Sequence, residues 1–96
     1  FAPWSTLTVD STTPSVLDGK QFITNNTVPI TISNFTNGYD GQTISVVFTD
    51  ANTTLDFTSS SLKGNNAVDR AMAVGDAINA IYRASSALWY VTVIDV

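Results

Sequence analysis

Hydrolytic chemistry in this chain would have to rest on Asp40, Asp50 and Asp56. Two carboxylates held a few ångströms apart in a cleft can cleave a glycoside, one as acid and the other as base or nucleophile. The other common catalytic groups are missing. The 96 residues contain no histidine, no cysteine and no glutamate, which leaves Asp, Lys, Tyr, Ser and Thr. The three aspartates stand in "NGYDGQ", "TDANTT" and "TTLDFTS", at turns or outward strand positions, where Asp is favoured because its carboxylate accepts nearby backbone N–H groups. No catalytic residue is expected, and the chain reads as a non-enzyme. Asp40, Asp50 and Asn52 also carry oxygens suited to calcium, but a calcium loop needs them packed densely. No metal or cofactor is expected.

Binding is a different question. Trp4, Tyr39, Tyr82, Trp89 and Tyr90 offer aromatic faces on which sugars stack, with Asn and Asp available for hydrogen bonds at the rim. Aromatics also dominate cores and protein interfaces, so Trp89 is equally a core residue and Tyr90 a contact with another chain. Tyr39 lies in a turn between Gly38 and Gly41 and is the best exposed of the five. The candidate glycan contacts are Tyr39, Asp40 and Trp4, and the ligand class would be a cell-surface polysaccharide.

The elements that must hold these residues follow from composition. Charge is sparse, four basic residues against eight acidic ones, and the net charge of -4 argues against nucleic-acid binding. The chain has no apolar run of membrane-spanning length. Asp, Asn, Ser, Thr and Gly are plentiful, and they favour turns and strand edges over helices.

Alternation predicts the strands. In "TISVVFT", Ile44, Val46 and Phe48 point one way and Ser45 and Thr49 the other, with Val47 the exception. Val28, Ile30 and Ile32 form a row in "TVPITIS", and Pro29 confines that strand to an edge or bulge because it lacks an N–H. Leu55 and Phe57 point inward in "TTLDFTS", as do Leu7 and Val9 in "STLTV". In "ALWYVTVIDV", Trp89, Val91 and Val93 line one face and Tyr90, Thr92 and Ile94 the other, and both faces read as covered. Asn37-Gly38 and Asp40-Gly41 mark a reversal that sets the register of the strand after Gln42. Closely spaced short strands with such turns predict an all-β, jelly-roll-like antiparallel sandwich in one domain. Residues 1–14 would be part of it or an N-terminal arm or linker from a longer parent. One segment is ambiguous: Val68, Met72, Gly75, Ile78 and Tyr82 have near-helical spacing, which predicts a helix over 67–84 or a shorter one around 67–75. Gly75 and the β-branched Val74, Ile78 and Ile81 oppose it.

Phe22, Ile30, Ile32, Gly41, Gln42, Ile44, Phe48, Leu62, Gly64, Gly75, Asp76, Ile78, Tyr82 and Trp89 carry a resemblance over residues 20–92. Their order is similar to that in the small β-domains near the C-termini of bacteriophage tailspikes and related parallel β-helix proteins. The resemblance implies a sandwich that packs as a homotrimer about a fibre axis, in a virion or extracellular setting. It also recasts Gly75-Asp76 as a turn, with Ala77 to Arg83 a strand pairing with Leu88 to Ile94. The family's glycine before the Trp is absent from "RASSAL" here.

Assembly also has support from the residues alone. A domain this small buries only about 60–65% of its unfolded surface, and without cysteines it has no disulfide to stiffen it. Val47, Tyr90 and Ile94 are apolar groups on outward positions, and they are the candidate oligomer interface. The expectation is a non-catalytic trimerisation domain of a tailspike, tail fibre or other virion appendage. The alternatives are a carbohydrate-binding module and a capsid decoration protein.

Overall fold

A computed structural model describes residues 4–96, and in it the alternation of "TISVV" becomes a strand with Ile44 and Val46 fully buried. Nine strands follow in order: β1 (Ser5–Thr6), β2 (Gln21–Ile23), β3 (Ile30–Ile32), β4 (Thr43–Val47), β5 (Thr53–Leu55), β6 (Leu62–Lys63), β7 (Arg70–Ala71), β8 (Ala77–Arg83) and β9 (Leu88–Ile94). They form a six-stranded sheet, β1-β2-β4-β8-β9-β6, and a three-stranded sheet, β3-β5-β7. Residues of both sheets meet in one core, where Phe22, Val46, Ile78 and Trp89 of the larger sheet join Ile32 and Leu55 of the smaller. The fold is all-β, as expected.

The direction of pairing corrects the antiparallel expectation. β1, β2 and β4 run parallel, as do β3 and β5, and β6 and β9; only β4-β8, β8-β9 and β5-β7 are antiparallel. The physical reason lies in the path. From β2 to β5 the chain passes alternately from one sheet to the other instead of reversing in hairpins, so each return enters its sheet in the same sense. Gln21 thus lies beside Ser45, and Ile30 beside Thr53. Ser15 pairs with Thr36 in parallel on a third side. The result is a short winding of stacked passes, in which each turn of chain rests on the next. At one corner the turns are laced together: Asp10 N–H donates to Asn26 Oδ1 (2.7 Å), and Asn26 N–H donates to Asp50 Oδ2 (3.0 Å).

The expected helix is absent from residues 67–75, which hold β7 and two irregular stretches instead. A three-residue turn at Asn65–Ala67 leads into them and shares Ala67, with φ of 49°, 54° and 60°. The next residue, Val68, is extended (φ -116°, ψ 130°), so the chain leaves the turn towards a strand and no right-handed helix starts there. Gly64 enters that turn with its α-carbon against β9, where an added Cβ would lie 2.4 Å from the Val91 carbonyl oxygen. The alternative expectation for the next segment describes the chain correctly. Ala77–Arg83 and Leu88–Ile94 pair from Ala77–Ile94 to Arg83–Leu88. Ala87, at φ 54°, takes the left-handed position that a glycine would otherwise fill.

Two smaller expectations also change. β9 is covered on one face only: Trp89 is fully buried, whereas Tyr90 and Ile94 are 41% and 45% exposed. Val28 and Val9 are exposed, because the chain is still turning at both residues and enters β3 only at Ile30. Pro29 sits just before β3, an edge strand, as its missing N–H requires. At the start of the described chain, β1 pairs with β2 and Leu7 is buried in the core, so residues 5–7 are built into the fold. Phe1 to Pro3, part of the expected arm, lie outside the described residues.

Candidate functional site

The turn that opens β4 is clamped by one side chain. Gln42 occupies the same inward row as Ile44 and Val46 and is 1% exposed. Its Nε2 donates to the carbonyls of Val16 and Gly19, both at 2.9 Å, and its Oε1 accepts from Tyr39 N–H at 3.2 Å. One buried amide therefore ties the 39–42 turn to the 16–19 turn. Asn37 and Gly41 supply the positive φ that the reversal needs. Gly38 lies over the indole of Trp89, where an added Cβ would approach within 2.6 Å. That indole is fixed by its Nε1 donating to Phe35 O (3.0 Å) and by Tyr82 at a ring distance of 4.9 Å.

On the outside, the two clamped turns bound an open cleft of about 710 Å³. Tyr39 and Gly41 come from one turn and Lys20 and Gln21 follow the other; Trp4 closes the far side, and Thr43 and Ser45 of β4 form part of the lining. Trp4 is 52% and Tyr39 55% exposed, so each presents ring surface to solvent. The structure thus brings two of the three candidate glycan contacts to one place. Asp40 is not among the lining residues. Its Oδ1 accepts from Ala84 N–H (2.9 Å) and ties the cleft turn to the β8–β9 connection.

The candidate interface residues also come together. Val47, Ala77 and Ile94 are in register across β4, β8 and β9, and Thr43, Ile81 and Tyr90 form a parallel row on the same outer face. Between them runs a polar row of Ser45, Asn79 and Thr92, with Ser45 Oγ donating to Asn79 Oδ1 (2.8 Å). A shallow depression of about 280 Å³ lies among Ile81, Tyr90 and the polar row. The hydroxyl of Ser86, together with the charges of Arg83 and Lys63, holds the Tyr90 phenol below its ordinary pKa.

The aspartates weighed for chemistry hold backbone. Asp50 accepts from Asn26 N–H, Asn52 N–H and Thr53 Oγ1. Although burial pushes its pKa up, hydrogen bonds from Thr24, Asn26, Asn52 and Thr53 outweigh that and hold it below the ordinary value. Asp56 caps Thr58 and Ser59, and Asp69 accepts from Phe57 N–H. Asp76 accepts from Ala73 and Val96 and lies beside Arg70, which also meets Asp95. Among the described residues, these acids do not gather into a metal-binding cluster, and no helix is long and apolar enough to cross a membrane.

Lys20, Gln21 and the clamp Gln42 were not singled out as site residues by sequence. For Gln42 a signal existed: period-2 alternation places it on the inward row, and a buried amide there must find partners. For Lys20 and Gln21 there was none, because their neighbours in the cleft arrive from distant strands. Comparison with family models, with curated proteins and with solved structures finds no match to this chain.

Proposed function

We propose that the chain is a non-catalytic structural module that holds copies of itself together as a homotrimer in a phage tailspike, tail fibre or similar virion appendage. The observation that carries this reading is the outer face of the six-stranded sheet. Val47, Ala77, Ile81, Tyr90 and Ile94 stand there in two rows separated by hydrogen-bonding Ser, Asn and Thr. Covering such a face recovers about 25 cal/mol per Å² of apolar surface removed from water. The intervening polar row fixes register between copies. The number of copies, three, and the virion setting come from the resemblance of Gly41-Gln42, Gly75-Asp76 and Trp89 to tailspike β-domains.

The acids support the non-catalytic part. Asp10, Asp40, Asp50, Asp56, Asp69 and Asp76 each accept at least one backbone N–H, so they act as turn supports. The winding supports an architectural role as well. Parallel passes stacked from β1 to β4 meet the antiparallel β8–β9 hairpin, and β6 then adds to the far side of β9 in parallel.

Light scattering across a dilution series of the 96-residue chain tests the proposal. A mass of three chains that falls to one in Val47→Asp and Ile94→Asp, with circular dichroism unchanged, is the expected result. A folded monomer at every concentration would remove assembly as this domain's own role.

A further inference from the structure

We infer that the cleft between Trp4 and Tyr39 is a binding site for an acidic oligosaccharide, a function beyond assembly whose floor includes Thr43 and Ser45 at the β4 margin of the same outer sheet face. The first reason is the pair of aromatic rings. Both are about half exposed, although each is large enough to have been buried. Pyranose rings present C–H faces of slight positive charge, which fit the negative face of an aromatic ring. The second reason is the floor. Gln21, Thr43 and Ser45 bring amide and hydroxyl groups, which donate and accept hydrogen bonds as sugar hydroxyls do.

The third reason is rigidity. The Tyr39 turn and the turn leading to Lys20 are joined through the buried amide of Gln42, so these two sides of the cleft keep their spacing without a ligand. A preformed site loses less entropy on binding. The fourth reason concerns charge. Among the described residues, Lys20 is the one charged residue lining the cleft, and no carboxylate lines it. In a chain of net charge -4, this local cation selects a sugar bearing a carboxylate. A nucleic acid, which would also stack, needs a basic surface that this chain lacks. The cleft is open, which suits a segment of polymer passing through it.

The two tryptophans make the test direct. Trp4 is exposed and Trp89 fully buried, so a neutral quencher such as acrylamide reads Trp4 and leaves Trp89 as an internal reference. The probes are hexamers of galacturonate and of alginate, with maltohexaose as the neutral counterpart. A uronate hexamer is expected to shift Trp4 emission to the blue and protect it from quenching. Tyr39→Ala should abolish the response. Lys20→Gln should weaken it about tenfold, the effect of losing one ionic contact in an open site. Both positions are exposed, and circular dichroism checks that each variant is folded.

No response to either uronate hexamer would overturn the proposal. Equal binding of maltohexaose, indifferent to Lys20→Gln, would overturn the acidic assignment. Val47→Asp separates this site from the assembly reading: binding by the dissociated variant is expected, and its loss there would move the site to a junction between copies.

Discussion

Replacing Gln42 by leucine keeps the volume of the side chain but strands its partners. Gly19 O and Tyr39 N–H lose the bonds they make to the amide, and Val16 O keeps only its bond from Gly19 N–H. Each buried group left without a partner costs about 1–3 kcal/mol. Gln42→Leu should therefore destabilise the fold by about 3 kcal/mol, read as a lower denaturant midpoint with the m-value unchanged. Gln42→Glu tests the mechanism, because a carboxylate facing the Val16 and Gly19 carbonyls has no donor to offer. It should be at least as destabilising at neutral pH. At this scale the sequence was informative about position and silent about partner. Alternation puts Gln42 inward beside Ile44 and Val46, but the groups it bonds lie in a turn far earlier in the chain. Tyr39 was legible because its glycine-flanked turn forces exposure. Asp40, its neighbour, was read as a ligand group, whereas its carboxylate supports Ala84.

Elements were legible wherever one face is buried and the other wet. The rows of β4 and β9, and Leu55 and Phe57 in and after β5, follow the period of two as expected. The 67–84 segment was ambiguous because Val68, Met72 and Gly75 fall at helical spacing by coincidence. Met72 reaches the core from an isolated position after β7, and Val68 is exposed. The chain is already extended at Val68 after the left-handed turn at Asn65–Ala67, a turn that sequence signals poorly because its last residue is alanine. The hairpin connection contains a second such alanine. Ala87 at φ 54° bears a cost of about 1 kcal/mol that glycine would not. Ala87→Gly should raise the melting temperature by about 5 °C in a domain of this size, as scanning calorimetry would show. Gly64→Ala should do the reverse. Its Cβ would press on the Val91 carbonyl in a backbone region with φ of 150°, which alanine rarely adopts, and a loss of about 3 kcal/mol is expected from the same experiment.

The whole molecule depends on contacts that join successive passes of the chain, and no local pattern announces them. Hairpin-like turn signals suggested antiparallel neighbours, yet the segments that pair in parallel are far apart in sequence and meet only because the chain winds between two sheets. The column Asp10–Asn26–Asp50 crosses those passes, and it makes acid the natural probe of the winding. Asp10 is held below its ordinary pKa first by the Thr27 hydroxyl and then by Thr27 N–H. In Asp50 the hydrogen bonds outweigh burial. Asp56 is held down by the N–H groups of Thr58 and Ser59, and Asp76 by those of Ala73 and Val96 together with Arg70. All four shifts have the same sign. Each carboxylate binds its proton less readily folded than unfolded, so its contribution is complete above the unfolded pKa of about 3.9 and is lost as pH falls through the folded value. The melting temperature should therefore be level from about pH 5 to 8 and fall steeply below about pH 4. Asp50→Asn separates this linkage from general acid instability. The amide cannot accept from Asn26, Asn52 and Thr53 as a carboxylate does, so the variant should melt lower on the plateau and lose less on going to acid. Equal acid losses in the two proteins would mean that the corner column does not carry the pH dependence. In that case the loss would have to come from the caps at Asp56 and Asp76, which Asp56→Asn and Asp76→Asn would reveal by the same calorimetric comparison.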